Sequence, residues 1–550
     1  MSASKHWWGL GVLFLACSAQ PGVVVDIDAW PDGATALQVG GTLDGMASTA
    51  PLSFPSGTTR FVVYLPAGRS GRLDLDVTAI DDRECVHAQT RAQVDLGGNL
   101  RAVSELHVAL APVSPPQCPA PLLKEVTPAV GPTGGDTLLS LTGQHFLSGV
   151  TVTIAGIPAP TSQWISPTQI RATLPAHPGA FGFVPIVVRN PDGQEAMRAD
   201  LFSYYASQLA YSHMAPFPTD NRPVAVTAAD MNGDGAMDLV SANGQSTVSV
   251  LLGNGQGSFE LPRQLATMAN PGALVAGDFN HDKKTDLAVV TFGSNGLTIL
   301  LGDGHGGVLA SSDVMGIGNP GKVAARDVNQ DGNLDLIVTS GFTHSVNVLL
   351  GNSRGGFGTA AAFPTGLSPV AVAVDDLDGD QHPDIVVANT GSGSISILRG
   401  DGHGGFGTAT HYPTGTFPIE IGIADLNGDS RPDLAITHLG EDSVSILAGD
   451  GTGNFTLQNK FGTGRVPYGL VLADVDGDRN LDLAIAANGE NSVHILLGDG
   501  AGGFGTASIL PSGIDPRGLA CADLNHDGRI DIATANYSAD DVSVFLNQSQ

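Results

Sequence analysis

Seven times the sequence carries the nine-residue pattern Asp-x-Asn/Asp-x-Asp-x-x-x-Asp, beginning at Asp230, Asp278, Asp327, Asp376, Asp425, Asp474 and Asp523. The steps between copies are 48 residues once and 49 five times. Positions one, three, five and nine always offer a side-chain oxygen. The sets are Asp230, Asn232, Asp234 and Asp238; Asp278, Asn280, Asp282 and Asp286; Asp327, Asn329, Asp331 and Asp335; Asp376, Asp378, Asp380 and Asp384; Asp425, Asn427, Asp429 and Asp433; Asp474, Asp476, Asp478 and Asp482; and Asp523, Asn525, Asp527 and Asp531. Three or four carboxylates in one short loop repel unless a cation neutralises them. An all-oxygen donor set suits a hard cation such as Ca²⁺, which takes six to eight oxygens. One such loop alone is often only a polar turn; seven at a fixed period, each followed by an apolar run, predict up to seven Ca²⁺ sites. Net charge is 25 − 54 = −29, and seven Ca²⁺ would bring it to −29 + 14 = −15.

The elements that hold these loops are short strands. In one unit, 369–374 and 384–388 are apolar runs flanking the loop 376–384, 394–398 is a third, 400–405 is a glycine turn, and Phe406 opens a fourth. Four strands per unit at a period near 49 predict an all-β propeller blade. The last unit ends on its third strand, 542–546, so 207–213 is expected to supply the fourth, removing the exposed edge of an open array. With the Gly-Gly-Phe-Gly runs at 355–358, 404–407 and 502–505, residues 207–550 resemble FG-GAP/VCBS repeats, whose best-known members are the propellers of integrin α subunits. The resemblance implies a seven-bladed β-propeller with calcium loops on one face. In loops of this class the seventh residue adds its backbone carbonyl, here Ala236, Lys284, Asn333, His382, Arg431, Asn480 and Arg529. Position six needs φ > 0, which suits Gly235, Gly332 and Gly528 and strains Lys283, Gln381, Ser430 and Arg479. With Lys283 and Lys284 beside the ion, the second loop is expected to bind most weakly. The opposite face should carry the ligand-binding loops, with Phe342, His344, Tyr412, Phe417, His438, Arg465, Tyr468, Arg517 and Tyr537 as candidates.

The rest of the chain is also read as all-β. Residues 1–19 form a signal-peptide pattern: Lys5 and His6 before an apolar run at 7–16, too short to span a bilayer. Cys17 follows Phe14, Leu15 and Ala16 in a stretch that resembles a bacterial lipobox, which implies lipidation at Cys17; cleavage near Ala19 and plain secretion is the alternative. Residues 22–112 alternate apolar and polar, as a small β-sandwich does. A Pro-rich linker is expected at 113–120, and Cys85 and Cys118 as a disulfide in an oxidising compartment. Cys521 lies in an apolar strand pattern and is expected to be buried. The runs 126–136, 141–146, 152–156 and 187–193 make 121–205 resemble an IPT/TIG domain, an immunoglobulin-like sandwich. The fold class is therefore two Ig-like β-sandwiches followed by a seven-bladed propeller.

The acidic balance excludes nucleic-acid binding and docking on anionic lipid, because no basic patch can neutralise phosphates. Membrane attachment is expected only through the N-terminal lipid. Arg399-Gly400-Asp401 is a repeat turn with one substitution, and Gly302-x-Gly304-x-x-Gly307 opens no helix, so neither carries integrin-ligand or dinucleotide chemistry. The expected function is a calcium-stabilised lipoprotein of the bacterial outer membrane or cell surface whose propeller binds a protein or glycan without catalysis. The alternatives are a carbohydrate-active enzyme of the polysaccharide-lyase kind and a purely structural envelope protein.

Overall fold

The computed structural model describes residues 111–177, 182–206 and 209–549, and only the strands within 22–108. Residues 1–19, Cys17 and Cys85 lie outside the described residues, as do 207–208. The described chain is all-β: its helices are two single 3₁₀ turns.

In the N-terminal region, one three-stranded sheet orders Arg60–Tyr64, Gly22–Ile27 and Ser104–Val108. A second sheet is built around Gly71–Ile80 and Val86–Leu96. Within the expected linker, Ala111–Gln117 is a strand paired with Val86–Leu96, so sheet pairing in the N-terminal region continues past residue 112. Cys118 is disulfide-bonded. The following domain sets the sheet of Leu122–Thr127, Leu138–Gln144, Gln169–Thr173 and Ser162–Ser166 beside one built on Thr151–Ile154 and Ile186–Arg189. Its alternating inward residues, among them Leu139, Leu141, Ile154 and Ile170, are fully buried.

From residue 209 onward, the described residues form seven antiparallel sheets, six of them four-stranded meanders. The fourth unit comprises Pro369–Asp375, Asp384–Asn389, Ser394–Leu398 and Thr410–Pro413. The last strand differs from the expectation that Phe406 opens it. Phe406 makes only an isolated bridge to Gly400, closing the glycine turn, while its ring meets Phe363 edge-on at 5.3 Å. In the seventh sheet, Tyr211–His213 and Phe217–Pro218 both pair with Asp541–Asn547, so the chain segment before the first unit completes the last. Val226, Leu239 and Leu251 of unit one share a core cluster with Ala533, Val542 and Val544 of unit seven.

Second and third strands are almost wholly buried, as in Asp384–Asn389 and Ser394–Leu398, because each sheet is covered on both faces by its neighbours. Fourth strands are mostly exposed. Each Asp loop joins first strand to second. Antiparallel pairing therefore puts all Asp loops at one end of the sheets, and the second-to-third hairpins and fourth-to-first connections at the other.

Candidate functional site

Each Asp loop is anchored by its second residue, an apolar side chain sunk between sheets: Met231, Phe279, Val328, Leu377, Leu426, Val475 and Leu524 are all buried. Its amide donates to one oxygen of the ninth-position Asp, for example Leu377 N to Asp384 Oδ2 at 3.0 Å. The other oxygen accepts an amide from the end of the third strand, here Gly400 N at 2.8 Å. The pair of bonds recurs in all seven units, with Asn547 taking the glycine's place in the last. Glycine is needed there because a Cβ at Gly400 would stand 2.2 Å from Pro383 O. The ninth carboxylate, expected as a metal ligand, thus first staples the loop to its sheet, leaving only its remaining lone pairs for an ion.

The first-position Asp accepts amides from within its loop, such as Gln381 N to Asp376 Oδ2 at 2.8 Å. The fifth-position Asp accepts the seventh amide, as Asp380 Oδ1 does from His382 N at 2.8 Å. Position six is left-handed in all seven loops, including Lys283 (φ 64°), Gln381 (φ 69°), Ser430 (φ 64°) and Arg479 (φ 74°). In the second loop Lys284 Nζ lies 3.9 Å from Asp282 Oδ2, a resident cation that an ion would have to displace.

Two loops bring three carboxylates within 4.8 Å of one another: Asp376, Asp378 and Asp384, and Asp474, Asp476 and Asp482. These are the two copies with Asp, not Asn, at position three, and these aspartate clusters could bind a metal ion. In the fourth, Arg399 Nη1 already pairs with Asp378 Oδ2 at 3.3 Å, which also accounts for the arginine of the Arg-Gly-Asp triplet. In the sixth, Asp476 and Asp482 are 5% and 1% exposed. Burial, reinforced by the neighbouring aspartates, pushes Asp482 up to about 8 and Asp476 up to about 7. Burial likewise raises Asp238, Asp384 and Asp531 to about 6. The donors are hard oxygens, and their charge is poorly solvated without a counter-ion, so the residues fit Ca²⁺.

At the other end, the first strands of all seven sheets converge on one cavity of about 440 Å³. Arg517 lies with Cζ 3.5 Å over the Tyr537 ring and 5.4 Å from Tyr468, and Arg222 stands 5.8 Å from Tyr537. Arg517 Nη2 contacts Asp515 at 3.3 Å. Below them Lys322 Nζ meets Glu420 Oε2 at 2.9 Å, linking units three and five. Burial disfavours the Lys322 charge, but the Glu420 carboxylate outweighs it and the pKa is raised. The residue before each first-strand proline is left-handed in every unit, although only glycine adopts that region freely. It is Arg222, Asn270, Asn319, Ser368, Phe417, Val466 and Asp515, with φ between 50° and 64°. Neighbouring hairpins hold several of these by their amides: Asp540 Oδ1 accepts from Arg222 N at 2.7 Å, and Asp442 Oδ1 from Val466 N at 2.8 Å.

Of the expected ligand face, Tyr468, Arg517 and Tyr537 line this cavity. Phe342 and Phe417 are exposed on the surrounding connections, as is Arg465. His344 serves the scaffold: its Nδ1 accepts the Ser368 amide at 3.1 Å. Two candidates are corrected. Tyr412 lies on a fourth strand with its ring edge-on to Phe455 at 6.3 Å, packed between sheets. His438 is fully buried, with Nε2 2.9 Å from Ser445 Oγ. Sequence reasoning missed Arg222, Lys322 and Glu420. Alignment of the units holds the signal: two residues after the proline stand Ala225, Ala273, Lys322, Ala371, Glu420, Gly469 and Gly518, so two charges interrupt a row of small residues.

Among solved structures, the chain is similar to BBS1N in complex with ARL6DN (14% identity, 62% of this chain and 97% of that one, TM-score 0.46). It is also similar to an auxiliary nutrient binding protein from Bacteroides ovatus (12%, 78% and 98%, TM-score 0.36), and to a putative phosphatase from Bacteroides thetaiotaomicron (12%, 78% and 98%, TM-score 0.37). No curated protein matches. Residues 121–204 match the IPT/TIG domain. Six overlapping segments from 230–289 to 474–534 match the FG-GAP-like repeat, together just over half of the chain, and the protein belongs to the FG-GAP-like repeat family.

Proposed function

We propose that residues 207–550 form a closed seven-bladed propeller, that Ca²⁺ in its Asp loops stabilises the blades, and that the cavity at the opposite end is a non-catalytic binding site. The two preceding sandwich domains act as a stalk, and an N-terminal lipid on Cys17 holds the exported protein at the cell envelope. The observation that carries the reading is the cavity itself: all seven first strands contribute to it, and it gathers Arg222, Arg517, Tyr468 and Tyr537. Volume and a few convergent polar groups suit a ligand pocket. Calcium enters as a structural ion, held by first- and third-position oxygens with the remaining lone pairs of the ninth. A catalytic reading needs a poised acid or base. Lys322 is instead held in its charged form by the Glu420 carboxylate 2.9 Å away.

The test measures melting of the chain with EDTA and with millimolar Ca²⁺, then binding of a protein and glycan panel by wild type and Tyr537→Ala. Melting that rises with calcium, and binding lost in a variant that still folds, are expected. Melting indifferent to calcium would remove the ion from the account. Unchanged binding in Tyr537→Ala would remove the site, and turnover of a polysaccharide would replace binding by catalysis.

A further inference from the structure

We infer that the cavity end of the repeat region docks a protein partner that inserts an acidic side chain between Arg222 and Arg517, ringed by apolar contacts. This rests on the reading of the cavity as a binding site and names its occupant. The first observation is the rim. Phe342, Leu367, Phe417 and Ile514 are 70%, 53%, 50% and 58% exposed, and Phe292 is partly exposed where it lines the cavity. Leu367, Phe417 and Ile514 lie one or two residues before the prolines that open the first strands, and Phe342 lies in a second-to-third hairpin. All therefore stand at the same end as the cavity. Large side chains so exposed lose water-contact area only against another apolar surface. A hydroxyl-clad glycan offers little of that.

The second observation is charge. The chain carries −29 overall, yet this cavity is lined by Arg222, Lys322 and Arg517 against one carboxylate, Glu420, which Lys322 already pairs. Among the described residues Arg222 has no ion pair, and the buried Arg517 Nε has no hydrogen-bond partner. Arg222 and Arg517 both lie against the Tyr537 ring, so a carboxylate brought to that ring finds an unpaired guanidinium in Arg222 and a second in Arg517, which also holds Asp515, while the acidic surface repels a polyanion. Arginine and tyrosine at the centre, with apolar residues around them, is the arrangement in which a few anchors dominate a protein interface. Third, Phe417 is held at φ 55° directly before a proline, a conformation a bulky residue reaches only when its surroundings impose it. The conformation is shared by the equivalent residue of every unit, and at this one it carries a half-exposed ring.

The test uses the full chain in millimolar Ca²⁺ and two immobilised peptide libraries with random flanks, one with Asp or Glu at the centre and one with Asn or Gln, plus glucuronate as an acidic sugar. Acidic-centre peptides with apolar flanks are expected to bind, their amide counterparts about tenfold or more weakly. Arg222→Gln should weaken binding by about the same factor. Phe342→Ser, a surface change, should also weaken it, and Leu457→Ser on an outer strand should not. Preference for neutral or basic peptides, binding of glucuronate alone, or no peptide bound overturns the inference. A ligand lost in Tyr537→Ala but indifferent to Arg222→Gln leaves the cavity as the site and removes the acidic anchor. Indifference to every variant removes both.

Discussion

Asp476→Asn should change sign with calcium. Position three is Asn in five of the seven loops, so the amide fits the space, and its oxygen can still accept the Asp478 amide as Asp476 Oδ1 does at 3.0 Å. Without metal, burial and the Asp478 and Asp474 charges lift Asp476 from 3.8 to about 7. A folded-state pKa above the unfolded one means the group favours folding only while protonated. That contribution is complete below about pH 4 and is lost as pH rises through about 7. At 1.36 kcal/mol per unit, the ionised carboxylate costs the metal-free fold at most about 4 kcal/mol above pH 7. In EDTA at pH 7.5, Asp476→Asn is therefore expected to stabilise by about 2–4 kcal/mol and to flatten the pH dependence between 4 and 7. In calcium the carboxylate is a ligand. A site of about 10⁻⁴ M affinity adds about 2 kcal/mol at about 5 mM Ca²⁺, and the variant should lose most of that increment. Calorimetry of wild type and variant in EDTA and in calcium reads both effects. An equal loss of melting temperature in the two buffers would refute the argument, since it would mean the carboxylate does ordinary hydrogen bonding and meets no ion.

Three further outcomes are expected. Lys284→Ser should strengthen lanthanide or calcium binding at the second loop, measured by titration calorimetry, because it removes the ammonium 3.9 Å from Asp282; unchanged affinity would show that the lysine is no competitor. His438 is fully buried and burial pulls it down to about 4, so the unfolded chain takes up its proton first and stability should fall as pH drops from about 6.5 to about 4. His438→Asn, which copies the Asn389 to Ser396 bond of 2.8 Å in unit four, should abolish that part of the acid sensitivity in pH-dependent melting. Gly518→Ala should destabilise by more than about 2 kcal/mol in denaturant titration, since its Cβ would stand 2.6 Å from the Ala225 backbone, which cannot yield as a side chain can.

The repeat, its period and the oxygen donors of each loop are legible in local spacing. Ligand-type oxygens recur at fixed local positions, and local spacing is enough to place Asp376, Asp378 and Asp384 on one turn. The left-handed sixth position was equally legible, and Lys283 and Arg479 adopt it without glycine because the amides of the loop are tied to its first Asp. The completion of the last sheet by Tyr211–His213 followed from counting strands. What the tertiary structure alone decided is where distant units meet. The ninth Asp is spoken for by the amide of a third strand, a contact no single loop reveals. Lys322 and Glu420 pair across two units because the first strands converge, and sequence distance carries no trace of that convergence. His438 looks like a surface residue in a turn-rich stretch, yet neighbouring sheets bury it fully, and Tyr412 is half-buried against the next sheet. A short-range pattern encodes backbone turns and donor sets; burial and charge pairing depend on which sheets pack face to face.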